Sequence, residues 1–132
     1  MALLLSFGAN AQYSDNLLVE ELLSADRNSI GQKIDFPNVD NAQVSMRKIT
    51  FPAGSSTGWH THEIPVFSYV ISGTLTVEIE GMEPTEYSTG QCFAESFGTY
   101  HQGVNKTDQD LIVLAVYLGG DDKPLSINKP DR

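Results

Sequence analysis

The chain has 132 residues, a single cysteine (Cys92), and 17 Asp/Glu against 8 Lys/Arg, giving a formal charge of −9. That is the length of one domain, enough to bury a core without structural staples, and a lone cysteine excludes an intramolecular disulfide, a CxxC redox pair or a cysteine-built zinc knuckle. The acidic balance without any Lys/Arg run excludes a nucleic-acid footprint and an anionic-membrane surface, and no apolar run approaches the ~20 residues of a membrane-crossing helix.

In chain order, Ala9 and Ala11 follow the short apolar stretch Leu3–Phe7 with the spacing of an A-x-A cleavage site. Residues 1–11 therefore read as the back half of a signal peptide and predict a periplasmic or secreted protein, although the first basic residue is Arg27 and the usual basic lead-in is missing. The alternative is an N-terminal strand with Leu3, Leu5 and Phe7 on one face, in a cytoplasmic protein. Residues 12–42 form an arm in which Leu17, Leu18, Val19, Leu22 and Leu23 suit a short helix and an edge strand equally.

From residue 43 to 119 the pattern is short β-branched and aromatic runs punctuated by Gly, Pro and Asp/Asn, the signature of an all-β sandwich or barrel. Strands are predicted at 44–51, 66–71, 74–80, 85–88, 91–95, 100–104 and 111–118. The 74–80 strand alternates, with Leu75, Val77 and Ile79 facing one way and Thr76, Glu78 and Glu80 the other. No sustained 3.6-residue period occurs in this region, which argues against a helical core. Cys92 reads as a small core side chain, and residues 120–132 as a polar tail around Leu125 and Ile127.

All three histidines of the chain, His60, His62 and His101, are candidate metal ligands. On a strand, positions i and i+2 share a face, so His60 and His62 can reach one point. Ser55, Ser56 and Thr57 lack a sequence partner for nucleophilic chemistry, which argues against a serine hydrolase.

Around the histidines, Gly54, His60, His62 and Gly73, followed by Gly90, Gly98, His101 and Asn105, resemble the two sequence motifs of the cupin superfamily, G-x5-H-x-H-x3,4-E-x6-G and G-x5-P-x-G-x2-H-x3-N. The match departs in two places: Val66 stands at the Glu slot and Ser96 at the Pro slot. The resemblance implies a jelly-roll barrel, the double-stranded β-helix, holding one divalent metal (Fe, Mn, Ni or Zn) on His60, His62 and His101. It also implies that Asn105 holds a turn and that the protein is a homodimer.

Three neutral imidazoles leave the full +2 charge of such an ion uncompensated, which favours an anionic, chelating small-molecule ligand. On an octahedral ion they leave three positions, enough for a bidentate substrate plus dioxygen; on tetrahedral zinc they leave one, enough for an activated water. Cupins with three histidines and no carboxylate include dioxygenases for thiols, diketones and aromatic diols, so a dioxygenase-like enzyme is expected ahead of an isomerase or hydrolase. The alternative is a non-catalytic ligand- or metal-binding module, since fold alone does not decide function.

Two carboxylates compete for the missing role. Glu63 follows His62 directly, and alternation points it away. Glu95 closes the 91–95 strand, where it is a candidate ligand or catalytic base; the turn between Glu95 and His101 prevents its facing from being derived by parity. Val66, Ser68, Tyr69 and Tyr100 are candidate pocket residues, with Ser68 sharing the inward face of Val66. The remaining aromatics near the motifs, Trp59, Phe67, Phe93 and Phe97, are chiefly expected in the core.

Overall fold

The structure is a computed structural model that describes residues 13–131. The signal-like stretch 1–11 lies outside the described residues. Among the described residues, nine strands follow in chain order: β1 (Ala42–Phe51), β2 (His60–Thr61), β3 (Val66–Ser72), β4 (Thr74–Ile79), β5 (Thr85–Ser88), β6 (Cys92–Ala94), β7 (His101–Val104), β8 (Leu111–Gly120) and β9 (Ile127–Asn128). They form two antiparallel sheets, one ordered β1-β8-β3-β6 and the other β5-β4-β7-β2-β9. This is the jelly-roll architecture that the turn-punctuated pattern of short strands predicts.

The core lies between the sheets because one face of each strand is apolar. Val66, Ser68 and Val70 of β3 are buried and alternate with half-buried Phe67 and Tyr69. Leu75, Val77 and Ile79 of β4 join Phe51, Val70, Phe93, Leu111 and Val113 in one cluster, while Ile64, Val66, Ala115 and Tyr117 form a second beside it. Burying Val70 and Leu111, both fully enclosed, contributes about 1.5–3 kcal/mol each.

The chain crosses from one sheet to the other at Gly73, between β3 and β4. Its φ of 103° lies in the left-handed region, and a Cβ there would sit 3.1 Å from the Leu111 Cα, so glycine satisfies both the bend and the close approach.

Three expectations are corrected. Residues 16–24 form neither helix nor strand: the segment pairs with no sheet, and Leu17, Leu18 and Val19 are 57%, 104% and 67% exposed. Cys92 is not a core residue; it lies half-buried on the β6 edge and donates its thiol to the Leu22 carbonyl of the arm (2.9 Å). The polar tail carries a strand that was not among those predicted: β9 adds to the edge of β2, with Thr61 opposite Ile127 and His60 opposite Asn128. A two-residue strand carries no periodicity to read, so the sequence pattern could not show it.

Candidate metal centre

The second sheet and its neighbouring turns bring the three histidines together. His60 on β2 stands directly opposite His101 on β7, and His62 follows two residues later in the β2–β3 loop. The three ring centroids are 4.5–5.0 Å apart. Glu95, one residue beyond β6, enters from the other sheet, and one ligand atom from each of His60, His62, Glu95 and His101 lies within 4.8 Å of the others. The Glu95 Oε2 atom is 2.9 Å from His62 Nε2 and 3.2 Å from His101 Nε2, while Oε1 accepts from Ser68 Oγ at 2.5 Å.

All three rings are turned the same way by backbone carbonyls. His60 Nδ1 lies 2.9 Å from the Gly58 carbonyl, His62 Nδ1 2.7 Å from that of Leu125, and His101 Nδ1 2.9 Å from that of Thr99. A carbonyl can only accept, so each Nδ1 carries the hydrogen and each Nε2 is the nitrogen left for the cluster. This outer hydrogen bond is how metal-ligating imidazoles are usually oriented. The donor set fits a divalent ion: borderline imidazole nitrogens and one carboxylate suit Zn, Fe, Mn or Ni, and the rings need no reorientation.

The electrostatics follow from burial and these contacts. Burial by itself would raise the Glu95 pKa, but hydrogen bonds from His101, His62 and Ser68, with the charge of His62, outweigh it and hold the carboxyl well below the usual range. Burial works to lower the pKa of His101, yet the hydrogen bond and charge of Glu95 and the Thr99 carbonyl raise it on balance. At His60 burial prevails and lowers the pKa, reinforced by the other two histidines.

The sequence-predicted pocket residues divide. Ser68 lines the small cavity at the cluster and positions Glu95. Val66 lines the larger of the two cavities rather than the one at the cluster and packs with Ile64, Ala115 and Tyr117, so the carboxylate of the cluster comes from Glu95. That changes the charge expected at a loaded site from +2 to +1. Tyr69 is corrected outright: it alternates with inward Ser68 and Val70 and therefore lies on the outer face of the sheet. Tyr100 is placed outside the inner cavity, with the Lys129 ammonium 5.1 Å from its ring centroid. Glu63 is exposed, as alternation indicates.

Two contributors escaped the sequence reading. Ser96, at the motif's Pro slot, is buried with its Oγ 2.9 Å from His101 Nδ1. Tyr117 is buried with its ring centroid 6.0 Å from that of His62, and burial together with the charge of Glu95 pushes its pKa up, so its phenol stays a hydrogen-bond donor. The alternation of β8 inward through Leu111, Val113 and Ala115 was the available signal for Tyr117.

The cavity at the cluster measures about 50 Å³; beside the four cluster residues it is walled largely by apolar groups, among them Leu75, Val77, Phe93 and Val113, with Thr57, Ser68 and Tyr117 as polar members. A larger cavity of about 560 Å³ lies between the arm and the β3–β6 end of the first sheet; Glu95 lines both.

The model of the cupin domain family matches residues 47–117, more than half of the chain. Among solved structures, the chain is similar to a cupin domain from Bordetella pertussis, with 25% identity over 63% of this chain and 88% of that one and a TM-score of 0.52. It is also similar to a protein from Thermotoga maritima described as a predicted oxalate decarboxylase, with 27% identity over 55% of this chain and 64% of that one and a TM-score of 0.50. The DMSP lyase DddQ from Ruegeria pomeroyi shares the fold at 17% identity and a TM-score of 0.57; 65% of this chain aligns, spanning 43% of the lyase. No curated protein matches the sequence significantly.

Proposed function

The chain belongs to the cupin family, and on that premise we propose that it holds one divalent metal ion on His60, His62, His101 and Glu95 and acts as a metal-dependent, dioxygenase-like enzyme on a small chelating acid. The observation that carries this reading is the convergence of four ligand atoms within 4.8 Å, with every imidazole oriented by a carbonyl on its far side. The ion, when bound, supplies a Lewis-acid centre for an oxygen-bearing ligand.

The chain's own residues set the rest. A cavity of about 50 Å³ admits only a few heavy atoms, so the reacting part of the substrate is small. Its apolar walls keep water from the reacting atoms. The Tyr117 ring walls the site beside His62, and the carboxylate of Glu95, steadied by Ser68, serves as the fourth ligand. A carboxylic acid substrate suits the residual positive charge of a His₃Glu site, and the likeness to the Thermotoga maritima protein described as a predicted oxalate decarboxylase supports that class.

The test is elemental analysis of the purified protein beside the His60→Ala/His62→Ala double variant, followed by oxygen-uptake and product assays with two- to four-carbon hydroxy and dicarboxylic acids, diketones and thiols. Near one metal per chain, absent from the double variant, with turnover abolished in Glu95→Gln, is the expected result. Metal and tight ligand uptake without turnover would reduce the protein to a binding module. No metal after reconstitution would sink the reading.

We also propose that the protein is a homodimer. The outer face of the first sheet carries Val44, Met46, Phe67, Tyr69, Ile71, Leu114, Val116 and Leu118, with Val44 and Met46 62% and 63% exposed on the edge strand β1. A contiguous apolar sheet face of this kind is what self-association covers. Light scattering on a sizing column should give a dimer, and Val44→Lys/Met46→Glu should shift it to a monomer; a monomeric parent protein would refute this.

A further inference from the structure

Of the three orienting carbonyls, two are local. Gly58 lies two residues before His60, and Thr99 two before His101; both arise from the turns that deliver their histidines. The third belongs to Leu125, 63 residues away, in the tail.

The tail is tied down by several different contacts. The Leu125 side chain packs on the Ile64, Val66, Ala115 and Tyr117 cluster. β9 pairs with β2, and the Lys129 amide donates to the Trp59 carbonyl at 2.9 Å. The Lys129 ammonium meets the Glu80 carboxylate at 2.5 Å and lies 5.9 Å and 5.1 Å from the ring centroids of Trp59 and Tyr100. An apolar anchor at the residue itself, then a strand pairing and an ammonium clamp on its C-terminal side, thus hold the carbonyl in place. His62 lies beyond the end of β2; its backbone carbonyl accepts from the Gly98 amide at 3.0 Å, but its ring is held only by the Leu125 carbonyl on Nδ1 and Glu95 on Nε2.

We propose that Leu125–Lys129 is a positioning element of the metal centre: the Leu125 carbonyl holds His62 with its hydrogen on Nδ1 and its Nε2 toward the other ligands, while β9 steadies the strand that carries His60. This rests on the metal-binding reading above. Without the tail, His62 keeps only its Glu95 contact on Nε2 and loses the far-side acceptor that sets its hydrogen on Nδ1. Loss of an outer hydrogen bond of this kind typically weakens metal affinity by about 10- to 100-fold.

The experiment compares the full-length chain with a chain ending at Pro124, titrating each with zinc alone and recording far-UV circular dichroism and metal-free melting as fold controls. A folded truncation that binds zinc about 10- to 100-fold more weakly than the full-length chain supports the assignment. Equal affinity overturns it and leaves the tail as packing. Absence of zinc binding in the full-length chain overturns the metal reading, and this inference with it. Should the truncation fail to fold, long-range proton–nitrogen correlations on the zinc-loaded full-length protein decide. Nε2 ligation of His62 with a slowly exchanging Nδ1 hydrogen supports the assignment, and ligation through Nδ1 overturns it.

Discussion

His101 and His62 sit 5.0 Å apart in one cluster, yet the chain secures them in opposite ways. His101 is held by its own turn, where the Thr99 carbonyl and Ser96 hydroxyl both lie 2.9 Å from Nδ1. His62 is held by a carbonyl that arrives only when the tail closes over β2. Local bonds form wherever the turn forms; a contact across 63 residues exists only in the finished fold and carries the larger loop-closure entropy. Half of the site is therefore as stable as a turn, and the other half as stable as the docking of a tail.

The largest effect comes from removing Asn105, which ties the end of β7 to the end of β1 and to the loop before His60. It is fully buried; its amide donates to the Phe51 and Gln109 carbonyls at 2.9 and 2.7 Å, and its carbonyl oxygen accepts from the Thr107 amide at 3.0 Å. Its backbone carbonyl also receives the Gly54 amide, linking β7 to the loop that precedes His60. Asn105→Ala strands several buried groups and should cost about 3 kcal/mol or more in urea unfolding. A loss below about 1 kcal/mol would show that this turn is redundant.

A smaller effect separates the ligands by pH. In the metal-free protein the pKa of His101 is raised above its ordinary 6.5, so the stability it contributes is complete below pH 6.5 and is lost as pH rises through its folded value. The pKa of Glu95 is depressed below its ordinary 4.5, so its contribution is present above pH 4.5 and is lost only as pH falls through the folded value. His60, with a lowered pKa, offsets part of the gain below pH 6.5 and has no influence well above it. Melting of the metal-free protein should therefore fall by a few degrees between pH 6.5 and 8.5. The zinc-loaded protein should hold or gain over the same range, because ligation requires proton-free imidazoles. Parallel curves for the two forms would contradict the assignment of His101 as a ligand.

The difference in reach between these contacts also explains what could be read from the sequence. The alternation of Leu75, Val77 and Ile79 and the turn at Gly73 are local properties, and each occurs where the pattern puts it; Asn105 holds its turn, as the resemblance implies, through the Gln109 carbonyl and the Thr107 amide. The inward face of Ser68 followed from parity with Val66, and the same parity places Tyr69 outside, against the pocket role first assigned to it. Glu95 could not be oriented because parity does not survive the irregular turn from Ser96 to Tyr100. Its ligand-like position is a property of two sheets meeting, with β6 and β7 on opposite sides of the barrel. Leu125 gave no chemical signal at all, since what it contributes is a backbone carbonyl that every residue possesses.

That all three rings are braced from behind has a consequence for how the protein would acquire its ion. The ordering cost of the imidazoles falls on folding, so an arriving cation meets a finished socket whose only rearrangement is the departure of protons from Glu95's partners. A socket of this kind imposes little discrimination among first-row divalent ions beyond their intrinsic ranking, and which ion occupies it is decided by the inventory of the compartment where the chain folds.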